Sequence, residues 1–207
     1  MDTGAGVAAA GFAVARLLIT PPDDAFLGRL ADPTGRQSWP IRDPATMLGL
    51  RTLAEPFGLA EVRADWARLF EPGADPVPLR ESEWVDLPGG ADQLVTALEQ
   101  RYAAAGVRRA HVGACPADHI SRELMYLAHL AARLERDPRP VGQRGGPRPE
   151  DEILDFATTH LDRFAGDALE AIRARATTPP MRALPDLAVG VLDSMAALVA
   201  TSAAGGR

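Results

Sequence analysis

The chain has 207 residues, 46% of them hydrophobic, which suffices for one good core or for two helical lobes sharing one, and which excludes a disordered chain. Its 22 basic residues, all arginine, stand against 28 acidic ones for a formal net charge of −6. With no basic stripe to displace counterions from phosphate, that balance argues against nucleic acid as a partner and suits a basic peptide better.

A first helix is predicted over 7–19, ending at a break that holds Pro21 and Pro22. Asp23 or Asp24 caps a short second helix over 25–30, which stops before Asp32 and Pro33. Three prolines and a glycine make 32–44 a loop. Helices follow over 45–54 and 59–70, the second with Leu59, Val62, Trp66, Leu69 and Phe70 at helical spacing. Prolines 72, 76 and 78 make 71–79 extended, and Glu81, Ser82 and Trp84 continue the irregular chain. A helix over 91–105 ends at Gly106, a C-cap candidate.

The most informative stretch is 115–136, predicted to be helical from Pro116. Ile120, Leu124, Leu127, Ala131 and Leu134 form one apolar face. Beside it lie Asp118, His119 and Glu123, with Asp118 in the first turn, where the helix dipole favours a carboxylate. Residues 137–149 carry four prolines, three glycines and three arginines and read as a hinge. It separates an N-terminal lobe, 1–136, from a C-terminal lobe, 150–207. In the second lobe helices are expected over 150–165, 166–176 and 181–201, with a tail from 202 that frays. No strand and no internal repeat stand out, so the fold class is all-α.

Arg16 interrupts the run 8–19 and no basic residue precedes it, so no signal peptide is expected. No apolar stretch approaches the ~18 residues of a membrane span. A cytoplasmic protein is expected, and the lone Cys115, which allows no internal disulfide, fits a reducing compartment.

Three chemistries compete for the polar residues. His119, Glu123 and His160 could recruit a metal, but the carboxylate-rich sets with repeated Glu-x-x-His that helical metal sites use are missing, and a cap at the helix start explains them more simply. Cys115 beside His119 suggests a nucleophile and base, without an oxyanion loop or a third orienting residue. The third reading is an interaction module. For His160 the default is a bond to the last carbonyls of its own helix. Gly142, Gly145 and Gly146 precede no strand–helix unit and read as hinge rather than phosphate loop. No cofactor or metal is implied.

Several segments, in order, resemble one family. Arg16-Leu-Leu-Ile-Thr-Pro-Pro-Asp-Asp-Ala-Phe-Leu27 looks like a first helix, proline break and second helix. Asp65-Trp-Ala-Arg-Leu-Phe70 looks like an aromatic-x-x-Leu-Phe motif. Pro78-Leu-Arg-Glu-Ser-Glu-Trp84 matches Pro-x-x-Glu-Ser-x-aromatic. Pro116-Ala-Asp-His119 matches the core of Glu-Pro-x-Asp-His, with Glu123-Leu124 downstream, and His160-Leu161 matches a His-Leu pair opening the C-terminal lobe. Together they resemble the TorD/DmsD redox-enzyme maturation chaperones, related to NarJ. Cys115 stands where that motif carries glutamate.

The resemblance implies a cytoplasmic, non-enzymatic chaperone. It would bind the twin-arginine signal peptide, or another segment, of a molybdenum-cofactor oxidoreductase precursor before export or assembly. The implied client-binding residues are Asp118, His119 and Glu123 for the basic head. Trp66, Phe70, Leu124 and Leu127 would serve the apolar body, with Cys115 and Pro116 alongside. No stable membrane insertion is implied, and the hinge permits a lobe-swapped homodimer.

Overall fold

The computed structural model describes residues 3–73, 75–107, 115–136 and 148–205. All of the expected hinge except Arg148 and Pro149 lies outside the described residues, as does His111. Among the described residues there are ten α-helices and no strand, so the fold is all-α.

Helix α1 (Gly4–Ile19) starts earlier than periodicity predicts, because the Thr3 hydroxyl caps it by accepting from the Gly6 N–H at 3.0 Å. Asp23, rather than Asp24, caps α2 (Asp24–Ala31), accepting from the Phe26 N–H at 2.7 Å. The expected loop 32–44 is corrected by a short helix, α3 (Pro33–Gln37). Asp32 ends one helix and caps the next, and Pro33 sits at the first helical position, where a missing N–H has no consequence. Helices α4 (Pro44–Thr52) and α5 (Leu59–Phe70) fall where expected. Irregular chain follows, with one 3-10 turn over Glu81–Glu83.

Helix α6 (Gly90–Ala104) ends as predicted: Gly106 has φ +81°, a left-handed conformation that suits glycine after a helix. Helix α7 (Ile120–Arg136) begins four residues later than predicted, because residues 117 and 118 form a turn. The expected single helix over 150–165 is also corrected. Helix α8 (Pro149–Thr159) stops at His160, whose backbone (φ −122°, ψ −78°) leaves the helical region. A 3-10 turn (Leu161–Arg163) then leads into α9 (Ala165–Arg175).

The last helix, α10 (Pro179–Gly205), keeps Pro185 in its interior and runs into the tail expected to fray. Its Pro179–Ser202 portion is long and apolar enough to cross a membrane, which corrects the expectation that no stretch approaches that length. More than half of that segment is buried inside the protein, as in the core helix of a globular fold.

Helices α1, α7 and α10 pack together as the centre of one core, which also draws on α4, α8 and α9. Small residues allow the close approach of α1 to α7: a Cβ on Gly11 would stand 3.0 Å from the Ala128 Cβ. The predicted stripe of α7 is buried, Leu134 partly, but so are Tyr126, Arg122 and Glu123, so neighbours cover this helix almost all round at its N-terminal half. Across α10, the capped start of α4 abuts Gly190. A Cβ there would fall 2.1 Å from the Thr46 Oγ1 and 2.7 Å from the Asp43 Oδ1. Gly190→Ala gains up to ~1 kcal/mol of helix propensity, and overpacking a tight contact costs ~1–3 kcal/mol. The clash wins, and a lowered Tm by thermal denaturation is the expected result.

Candidate functional site

The residues before and after α6 are joined by backbone. The Ile120 N–H donates to the Leu79 carbonyl at 2.8 Å and the Glu81 N–H to the Asp118 carbonyl at 2.7 Å, making an isolated antiparallel bridge between Arg80 and His119. This clasp lays the Pro78–Trp84 segment against the turn that precedes α7. The Glu83 carboxylate fastens the segment further, accepting from the N–H groups of Leu79 and Arg80 at 3.1 and 2.9 Å.

Two carboxylates with no exposed surface occupy the clasp. Asp118 accepts from Arg80 Nε at 3.1 and 3.3 Å and from the Ser82 hydroxyl at 2.5 Å. Glu81 reaches the other way, across to the chain after α8. Its Oε2 lies 2.8 Å from His160 Nδ1, and its Oε1 accepts from Arg163 at 3.1 Å. This bond to Glu81 replaces the expected one to the carbonyls of the helix that His160 follows. The His160 ring also packs on Phe156, with centroids 4.7 Å apart, beside Tyr102 and Tyr126. Buried charges persist when they are paired and hydrogen-bonded, and both conditions hold here.

Glu123 is the exception. It is fully buried, and neither carboxyl oxygen has a hydrogen-bond partner. Burial above all, then the charges of Glu81 and Asp118, push its pKa well above the ordinary carboxyl range and so favour the protonated form. Its neighbour Arg122 turns the other way, to Glu99 at 2.7 Å and the Cys115 carbonyl at 3.2 Å, with its guanidinium over the Tyr102 ring.

His119 closes the start of α7. Its Nδ1 accepts from the Ser121 N–H at 3.2 Å and lies 2.8 Å from the Ser121 hydroxyl, which assigns the ring proton to Nε2. Burial lowers its pKa to about 4, and the neighbouring Asp118 only partly opposes this, so the ring is neutral at pH 7. Burial also raises the Cys115 thiol to about 11. Its sulfur faces the Ser121 hydroxyl at 3.8 Å, and Ser121 occupies the Nδ1 that a base would need. A thiol held protonated is a poor nucleophile. Among the described residues no three His, Cys, Asp or Glu side chains are grouped to hold a metal ion.

The residues singled out from the sequence therefore divide. Asp118, His119, Glu123, Cys115 and Pro116 come together at the start of α7, with Pro116 exposed and Cys115 and His119 partly so. Asp118 and Glu123 are interior groups rather than surface carboxylates. Leu124 and Leu127 are core. Trp66 is also core, its indole N–H donating to the Leu17 carbonyl at 2.6 Å; Phe70, edge-on to it, is partly exposed. Arg80, Glu81, Ser82 and Arg163 were missed as members of the cluster. The adjacent Glu81-Ser82 pair in a proline-rich stretch was the one available signal, since a carboxylate there has no helix to cap.

Three of the motif segments that resemble the chaperone family, those at Pro78–Trp84, Pro116–His119 and His160–Leu161, thus meet in one buried polar knot although they lie far apart in sequence. No curated protein matches the chain. Residues 42–170, more than half of the length and containing every member of the knot, match the family described as nitrate reductase delta subunit. The chain belongs to that family, one of molybdoenzyme-maturation chaperones rather than enzymes.

Proposed function

We propose that this protein acts in the cytoplasm, binding the twin-arginine signal peptide, or another basic and apolar segment, of a molybdenum-cofactor oxidoreductase precursor until its cofactor is inserted. The observation that carries this reading is the convergence of the Pro78–Trp84, Pro116–His119 and His160 segments on one knot. Asp118 and Glu81 are buried in it, so they act by holding Arg80, Ser82 and His160 in place. Glu123, Leu124, Leu127 and Trp66 support the surface from beneath in the same way. Cys115, Pro116, His119 and the exposed part of Phe70 are left to meet the client. Glu83, exposed on the same turn, supplies a carboxylate for the basic head. Exchange of the 1–136 and 150–207 lobes across 137–149 would give a homodimer with the same site.

The test uses the full chain and a synthetic peptide with an Arg-Arg head and an apolar body, followed by calorimetry. His119→Ala and Asp118→Asn are expected to weaken binding about tenfold, the effect of ~1.4 kcal/mol, with the helical circular dichroism retained. Undiminished binding by two folded variants would remove the site from this knot. Failure of the parent to bind any such peptide, with no molybdoenzyme precursor captured from the host, would remove the client.

A further inference from the structure

Most described arginines are ion-paired with a carboxylate, as expected in a chain with more acids than bases. Three that are not paired lie around one open cleft. Arg36 on α3, Arg42 just before α4 and Arg51 in the last turn of α4 line a cavity of about 320 Å³, together with Met47 and Leu50. None of the three has a carboxylate within ion-pair distance among the described residues. None of them belongs to the knot around Asp118.

Two of these guanidiniums are held in place without being neutralised. Arg36 donates to the Leu30 and Ala31 carbonyls at 2.8 and 2.5 Å, closing the end of α2. Arg42 donates to the Ile41 carbonyl at 2.9 Å and to the Gln37 carbonyl. Carbonyl partners orient a guanidinium but leave its charge for a ligand. Arg51 is exposed, and its side chain makes no hydrogen bond to any described residue. The cleft is also apolar in part: Met47 is 46% exposed, and Leu48, next along α4, is 48% exposed. Exposed methionine and leucine beside uncompensated arginine is a pattern of recognition rather than of solubility.

We propose that this cleft binds an acidic peptide segment of a partner protein, with its carboxylates on Arg36, Arg42 and Arg51 and an apolar side chain against Met47 and Leu50. Charge complementarity chooses the occupant. The guanidiniums repel a basic signal peptide, and each offers the planar fork that a carboxylate accepts in bidentate fashion. They are spread over α3, the chain before α4 and the last turn of α4, around an apolar floor, which suits several carboxylates interleaved with apolar residues better than one compact phosphate. The cleft would thus give the chaperone a second point of contact, of charge opposite to that proposed for the signal-peptide site. Two linked contacts raise overall affinity through effective concentration.

The probe is a fluorescent acetylated peptide of alternating Glu and Leu, with a Gln-for-Glu version as control, titrated into the full chain at low and high salt. Binding of the acidic peptide alone, weakened by salt and about tenfold by Arg51→Glu, is the expected result. The Arg51 side chain has no partner among the described residues, so this variant should keep the fold, and a second variant, Met47→Gln, should weaken binding alike at both salt concentrations. Equal binding of the neutral peptide, or no effect of Arg51→Glu, overturns the proposal. So does inorganic phosphate displacing nothing from the peptide complex yet binding the free cleft in an Arg51-dependent way, which would make it a small-anion site. The basic twin-arginine peptide should bind Arg51→Glu as it binds the parent, so this test and that of the client site fail separately.

Discussion

Asp65→Ala is expected to destabilise the fold by ~3–5 kcal/mol, the range for leaving a buried ionic group's partners unmet. Asp65 is 4% exposed, and its Oδ2 accepts from the N–H groups of Thr177 and Thr178, at 2.9 and 2.7 Å, and from the Thr178 hydroxyl at 2.8 Å. These groups lead into α10, so one carboxylate ties α5 to the start of the longest helix and sits at its positive end. Arg68 bonds the other oxygen. Alanine removes all of these at once and leaves the buried Thr178 N–H, and the part-buried one of Thr177, without their partner. For a chain of this size a Tm lower by about 10 °C is the expected reading. Burial pushes the Asp65 carboxyl up, but the bonds from Thr178, Thr177 and Arg68 together outweigh it and hold the pKa below the ordinary value. A lowered carboxyl contributes stability above its unfolded pKa, and this contribution is lost as pH falls through the lower folded value. The gap between parent and Asp65→Ala should therefore narrow in acid below about pH 4. A gap independent of pH, or a Tm change under 2 °C, would show that the clamp does little.

Glu123→Gln is expected to act in the opposite direction and to stabilise the protein at neutral pH. The fold favours its protonated form while the unfolded chain ionises in the ordinary range, so its contribution is greatest below the unfolded pKa and declines as pH rises towards the folded one. Glutamine is neutral throughout and nearly the same shape. Its advantage over glutamate should grow as pH rises from the ordinary carboxyl range towards the raised folded pKa, by at most ~1.4 kcal/mol per pH unit, and level off beyond it. His119 pulls the other way: with a folded pKa of about 4 against 6.5, its contribution is complete above pH 6.5 and lost as pH falls towards 4. Chemical denaturation of parent and Glu123→Gln at pH 5, 6, 7 and 8 separates these effects, because only the glutamate effect disappears in the variant. Parallel curves for the two proteins would mean that Glu123 is ionised and has found a partner.

The legible parts of this fold are those that local pattern decides. The limits of α5 follow from five apolar residues at helical spacing, and Gly106 follows from the need for a left-handed residue after a helix. The start of α1 and the short α3 were missed although local caps at Thr3 and Asp32 make them, and two other errors occurred where bonds to distant chain overrode the local pattern. His160 leaves the helix while bonded to Glu81, 79 residues away, although nothing in the 150–165 pattern marks a stop. Pro116 and Asp118 read as a helix start, but the backbone of 118–120 is drawn into the clasp with 79–81, and the helix waits until Ile120.

By itself, then, the sequence determined the all-α class, the buried stripe on α7 and, through five short motifs in order, the family. These rest on periodicity and on residue identity, which neighbours along the chain express directly. Only the tertiary structure decided what the motifs do together. Asp118 meets Arg80 across 38 residues and Glu81 meets His160 across 79, and pairings at such separations leave no periodic trace. The same holds for burial of polar groups. Asp118 and Glu123 read as surface carboxylates beside an apolar stripe, because a helical pattern shows one buried face. Once other helices and the 78–84 segment cover the rest of the helix, one becomes the buried half of an ion pair and the other a buried carboxyl without a hydrogen-bond partner.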